Sequence, residues 1–128
     1  MNHCIVIPDS FKGTMTSLEV SSIMTEKIKA SFPDCNVVSI PVADGGEGTV
    51  DCFLLALNNG KKVFTTVQDA YGSEIEGFYG RFGDVAVIEM AAVAGMVSNT
   101  RRDTLSASTY GVGQLIDHAI KGGASKIF

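Results

Sequence analysis

Apolar residues along the chain fall into two kinds of pattern, and the alternation between them predicts the elements. Residues 4–7, Cys-Ile-Val-Ile, form an unbroken apolar run closed by Pro8, as in a central strand buried on both faces of a parallel sheet. Val20, Ile23, Met24 and Ile28 then recur at spacings of three and four, which predicts an amphipathic helix packed on the sheet, with Glu19, Glu26, Lys27 and Lys29 largely off its apolar stripe. Thr16 and Glu19 have the spacing of a capping box at its start, and Pro33-Asp34 ends it near Phe32. A second apolar run at residues 37–40 predicts a second strand. With a helix between them, the two strands should be parallel and joined by a right-handed crossover.

Val50, Phe53, Leu54 and Leu57 repeat the helical spacing and stop at Asn58-Asn59-Gly60. From Lys61 the period shortens. Residues 62–67, 75–82 and 85–89 are strand-like and are separated by connections too short for helices, so they should pair antiparallel as a small β-rich excursion. A short apolar helix follows Glu89. Ser98 to Thr104 is a polar loop whose Arg101-Arg102-Asp103 reads as solvated surface, with substrate contact as the alternative. A last helix carries Val112, Leu115, Ile116 and Ala119 inward and stops at Gly122-Gly123. Lys126-Ile127-Phe128 then reads as the start of a third buried strand, so the sequence is expected to be truncated and to leave a strand edge that favours self-association into a homo-oligomer.

Composition narrows the partners. With 128 residues, 45% hydrophobic and 19% charged, there is material for one core and not for two full domains. A net charge of −4, with Lys61-Lys62 and Arg101-Arg102 as the basic pairs, argues against nucleic-acid and anionic-membrane partners while leaving a small anion open. The first apolar stretch is too short for a secretory or membrane-spanning segment, which predicts a cytoplasmic protein. Cys4, Cys35 and Cys52 are odd in number and lack zinc spacing, so they read as reduced thiols; His3 and His118 stand isolated.

The stretch richest in chemistry is Asp44-Gly45-Gly46-Glu47-Gly48-Thr49, between the second strand and the second helix. Glycines let a backbone approach a ligand closely, and a loop opening into a helix aims unpaired N–H groups at an anion. Asp44 and Glu47 would repel that anion unless a cation lay between them, so the loop reads as an anion-plus-metal site suited to Mg²⁺. The alternative is an ordinary turn followed by a first-turn helix acid. No Lys-Ser or Lys-Thr follows the glycines, and their spacing is not the dinucleotide fingerprint. In a parallel βαβ unit the loop at residues 9–14 leaves the same sheet edge, which makes Lys12 the candidate cation. Glu89 stands at the end of a strand among apolar neighbours and, if buried, demands a partner; the alternative is a surface acid. The hydroxyls of residues 106–109, Thr109 among them, can cap the last helix or bind a ligand oxygen.

Taken in order, Ile7-Pro8-Asp9-Ser10-Phe11-Lys12-Gly13, Pro41-Val42-Ala43-Asp44-Gly45-Gly46-Glu47-Gly48-Thr49, Ile88-Glu89-Met90-Ala91-Ala92 and Thr109-Tyr110-Gly111 resemble the glycerate kinase family. The family tends to carry a threonine run where this chain has Ser106-Ala107-Ser108. The resemblance implies ATP- and Mg²⁺-dependent transfer of phosphate to a hydroxyl of glycerate. It also implies an N-terminal portion of a two-domain α/β protein, one domain Rossmann-like or flavodoxin-like, with the active site in the cleft. On that reading residues 1–60 and 106–128 belong to the Rossmann-like domain and 61–105 to a second, smaller one. Lys12 would neutralise phosphate or the glycerate carboxylate, and Asp44 or Asp9 would take the acceptor proton or hold Mg²⁺. The backbone of Gly45, Gly46 and Gly48 would bind an anion, with Ser10, Thr49, Glu89 and Thr109 completing the substrate and phosphate contacts. Glu47 is either a metal ligand or a helix-start acid. The isolated chain is expected to be inactive. A rival is a flavodoxin-like module that binds an anion without turning it over; a redox flavoprotein is disfavoured because Trp is absent and the aromatics do not gather at the two loops.

Overall fold

The structure, a computed structural model, describes residues 2–95 and 103–128, so the predicted loop at 98–104 with Arg101-Arg102 lies mostly outside the described residues. The chain divides into two compact units, Met1–Asp44 and Gly45–Phe128.

In the first unit, β1 (His3–Val6), α1 (Ser17–Ser31) and β2 (Asn36–Ser39) form the expected βαβ arrangement, with the strands parallel from His3↔Asn36 to Val6↔Ser39. The capping box is present: Glu19 N donates to Thr16 Oγ1 at 3.2 Å, and Thr16 N donates to Glu19 Oε2 at 2.7 Å. The buried face of α1 is Ser17, Val20 and Ser21, whereas Ile23 and Met24 are 48% and 43% exposed. The helix is thus turned toward its serines, because the Ser17 hydroxyl is bonded inside the unit. β1 is not buried on both faces: Val6 is buried, but Ile5 is 64% exposed, as Val38 is 46% in β2. Two strands and one helix can cover one sheet face only.

The second unit is built on a four-stranded sheet of order β3 (Lys61–Gln68), β4 (Glu74–Phe82), β5 (Val85–Val87), β6 (Lys126–Ile127). β3, β4 and β5 pair antiparallel, as their short connections require, while β6 lies parallel to β5. Side chains alternate along β4. Tyr79 joins Val67, Ala86, Val93, Leu115 and Ala119 on the face covered by α3 (Ala91–Ala94) and α4 (Tyr110–Lys121). Phe82 joins Val50 and Val87 on the face covered by α2 (Thr49–Ala56). Phe53 and Leu57, expected inward, are 39% and 46% exposed, so α2 buries the side marked by Val50 and Leu54 instead.

The compact units differ from the grouping of 1–60 with 106–128. Residues 45–60 and 106–128 fold with β3, β4 and β5, because β6 hydrogen-bonds to β5 and Leu115 and Ala119 of α4 share the core of β3 and β4. At the start of α4, Gln114 Oε1 accepts from Gln68 N at 2.8 Å, and a Cβ on Gly111 would stand 1.8 Å from Gln68 O, so only glycine permits that approach.

Candidate functional site

In the first unit both strand-end loops are tied to the same side chain. Ser17, buried in the first turn of α1, donates its hydroxyl to Pro8 O at 2.8 Å and accepts from Val42 N at 3.2 Å. Pro8 follows β1 and Val42 follows β2, so one hydroxyl fastens together the segments that lead to Asp9 and to Asp44. Sequence reasoning missed Ser17; its signal is a second hydroxyl directly after a capping threonine, one more than a cap needs.

Beyond Pro8 the backbone makes a closed loop. Phe11 N donates to Met15 O at 2.8 Å, while Thr14 N and Met15 N both donate to Phe11 O. Lys12 and Gly13 form the tip, Gly13 taking φ 71°. Lys12 is exposed and its ammonium has no partner among the described residues, a cation available to an anion from solution. Asp9 is exposed, and its carboxylate accepts from the adjacent Ser10 N at 2.7 Å. Asp44 is also exposed, at the end of the unit.

In the second unit the glycine-rich loop is shaped from within. Gly48 takes φ 89°, a left-handed conformation that a side chain would strain, and begins α2. Thr49 Oγ1 donates back to Gly46 O at 2.8 Å. The amides at this helix start are not open: Gly48 N donates to Glu89 Oε1 at 3.1 Å and Val50 N to Glu89 Oε2 at 3.0 Å. Glu89 is 3% exposed, at the junction of β5 and α3, and this pair of amides is the partner its burial demands. It also places a carboxylate at the positive end of α2. The structure thus brings Glu89, Gly48, Thr49 and Gly46 together, and gives Glu89 to the loop. Thr109 is exposed just before α4 and its side chain makes no capping bond; Ser108 Oγ accepts from Tyr110 N instead, at 3.1 Å.

Glu47 is exposed on the loop and makes no hydrogen bond or ion pair with the described residues. Among the described residues no three His, Cys, Asp or Glu side chains gather as a metal cage. Mg²⁺ does not require one, since it commonly takes one or two carboxylates and completes its shell with water and substrate phosphates, and exposed Asp44 and Glu47 have that donor chemistry. No helix among the described residues is long and apolar enough to cross a membrane.

A sequence model of the Glycerate kinase family matches residues 4–128. The chain is 40% identical over 131 residues to a protein named glycerate kinase from Halalkalibacterium halodurans, covering 99% of this chain and 34% of that one. It is 37% identical over 127 residues to a protein named glycerate 2-kinase from Escherichia coli K12, covering 96% and 33% respectively. A crystal structure from Salmonella typhimurium LT2, provisionally named glycerate kinase 2, superposes with a TM-score of 0.72 at 35% identity, covering 98% of this chain and 34% of that one. The chain therefore spans about a third of the length of the relatives it matches.

Proposed function

The chain belongs to the glycerate kinase family, and from that premise we propose that it forms part of an enzyme that phosphorylates a hydroxyl of glycerate with ATP. The observation that carries this reading for the residues themselves is Lys12, an ammonium with no partner among the described residues, at the tip of a hydrogen-bonded loop. Phosphoryl transfer asks the protein chiefly for positioning and charge neutralisation. Lys12 neutralises a phosphate or the glycerate carboxylate. Asp9 or Asp44 accepts the proton of the attacking hydroxyl, and Ser10 orients the acceptor. In the second unit the backbone of Gly45 faces an anion, while Gly46, Gly48, Thr49 and Glu89 hold the loop's shape, since Thr49 bonds to Gly46 and the Gly48 and Val50 amides to Glu89. Thr109 offers a hydroxyl at the start of α4. Mg²⁺, held by Asp44 or Glu47, would supply charge neutralisation on the phosphates. The relative from Escherichia coli is named for the 2-hydroxyl, so 2-phosphoglycerate is the product to seek first.

Residues 1–128 alone are proposed to bind without turning over, because phosphoryl transfer needs every wall of its cleft and the relatives are about three times as long. The test is product analysis with glycerate and ATP on a polypeptide of the relatives' full length beside residues 1–128. Replacing Lys12 with Met in the long form keeps the aliphatic stem and removes the charge. We expect kcat/KM to fall about a hundredfold or more, a loss of ~2–4 kcal/mol of transition-state stabilisation. Near-normal kcat/KM would return Lys12 to the solvated surface, and absence of phosphoglycerate from the unsubstituted long form would overturn the reading. Glycerate-dependent turnover by residues 1–128 within tenfold of the long form would overturn the proposed inactivity.

A further inference from the structure

The start of β3, the end of β4 and the later turns of α4 border an open, shallow cleft of about 560 Å³ that shares no residue with the glycine-rich loop. Its polar lining is Asn59, Lys61, Tyr79, Arg81 and His118, and no Asp or Glu lines it. Lys61 is exposed and its ammonium has no hydrogen bond or ion pair with the described residues. Arg81 is held in place by carbonyls: its Nε donates to Gly83 O and one terminal nitrogen to Ala119 O at 3.3 Å. These neutral acceptors fix the guanidinium without cancelling its charge. The nearby acid is Asp84, whose carboxyl is held below its ordinary value mainly by the Ser125 hydroxyl and then by Lys126, with Arg81 the weakest contributor. Tyr79 Oη lies 3.2 Å from His118 Nδ1, so a hydroxyl and an imidazole join the two cations.

A rigid guanidinium, an uncompensated ammonium and a paired imidazole around one concavity favour an acceptor-rich, negatively charged occupant. We propose that this cleft binds a compact multivalent anion, a small metabolite bearing phosphate or several carboxylates. The proposal does not depend on the kinase reading.

The test is an NMR titration of this chain with inorganic phosphate and, separately, with malonate, at ionic strength held constant by sodium chloride and with glycerol as the neutral control. The signals followed are the His118 imidazole, Arg81 Nε–H and the backbone amides of Gly60, Lys61 and Gly122. Saturable shifts there with at least one anion are expected, and the two arms separate phosphate from carboxylate recognition. Lys61→Met, which removes no hydrogen bond or ion pair with the described residues, should weaken binding about tenfold, the effect of losing one charge-assisted contact. His118→Gln is a second variant that leaves the bonds of Arg81 in place. Shifts that fail to saturate, that chloride reproduces, that appear only at residues 45–49, or that are unchanged in both variants would overturn the proposal.

Discussion

The two units solve the same problem of burying apolar residues with different completeness. In the second unit helices pack on both faces of the sheet, and Val50, Ala86, Val93, Leu115 and Ala119 are all fully buried, although Phe64 of β3 is 55% exposed. In the first unit one helix covers one face of two strands, and Ile5, Ile7, Val38 and Ile40 are each 44–64% exposed. The difference separates what stabilises the chain from what it offers to ligands. The closed unit anchors its glycine-rich loop through a buried carboxylate, whereas the open unit holds its candidate residues with one serine and a backbone loop.

The largest expected contrast comes from truncating one apolar residue in each unit. Leu115→Ala should cost about 2–5 kcal/mol in chemical denaturation, since it empties a fully buried position. Ile5→Ala should cost less than about 1 kcal/mol, because most of that side chain is already in water. Equal costs would break the comparison. Glu89→Ala comes next, leaving the Gly48 and Val50 amides without their acceptors and costing about 1–3 kcal/mol. Its amide resonances should move chiefly at residues 45–50; shifts spread evenly through the second unit would mean that Glu89 supports the core rather than the loop.

The smallest effect belongs to the first unit. Thr16→Ala removes the capping hydroxyl and should destabilise α1 by ~1 kcal/mol, read as faster hydrogen exchange of its first-turn amides. Glu19's carboxyl is held below its ordinary value of 4.5, first by the Thr16 amide and then by the Thr16 hydroxyl. Its contribution is therefore present above that ordinary value and is lost as pH falls through the lower folded value. Protection factors in α1, taken relative to the intrinsic exchange rate at each pH, should fall over that acid range in the unsubstituted protein, and less so in Glu19→Gln. Identical acid profiles for the two would exclude the capping carboxylate as the cause.

Local chemistry was legible in the sequence where it depends on near neighbours. Thr16 with Glu19, the parallel βαβ unit and the antiparallel β3–β5 run all follow from spacing and turn residues. Which face of a helix is buried was not, because apolar period alone ranks Ile23 and Met24 above Ser17, and only Ser17's long-range bonds to Pro8 O and Val42 N reverse the order; the burial of Ser21, whose hydroxyl has no hydrogen-bond partner among the described residues, has no such explanation. The placement of residues 126–127 beside β5 likewise rests on pairing across some forty positions of sequence, which periodicity does not encode. For Glu89 the need for a partner was readable from its apolar neighbours, but the partner's identity was not, since amides of Gly48 and Val50 have no sequence signature.

Glu89 is, in effect, a tethered competitor. A dissolved anion directed at the amides of Gly48 and Val50 meets a carboxylate already seated there and carried by the same chain. Its effective concentration is on the order of millimolar or higher and cannot be diluted away. Weakly binding solutes such as acetate are thereby screened out at those two positions, and the loop admits there only an anion whose other contacts exceed what the resident carboxylate already gains.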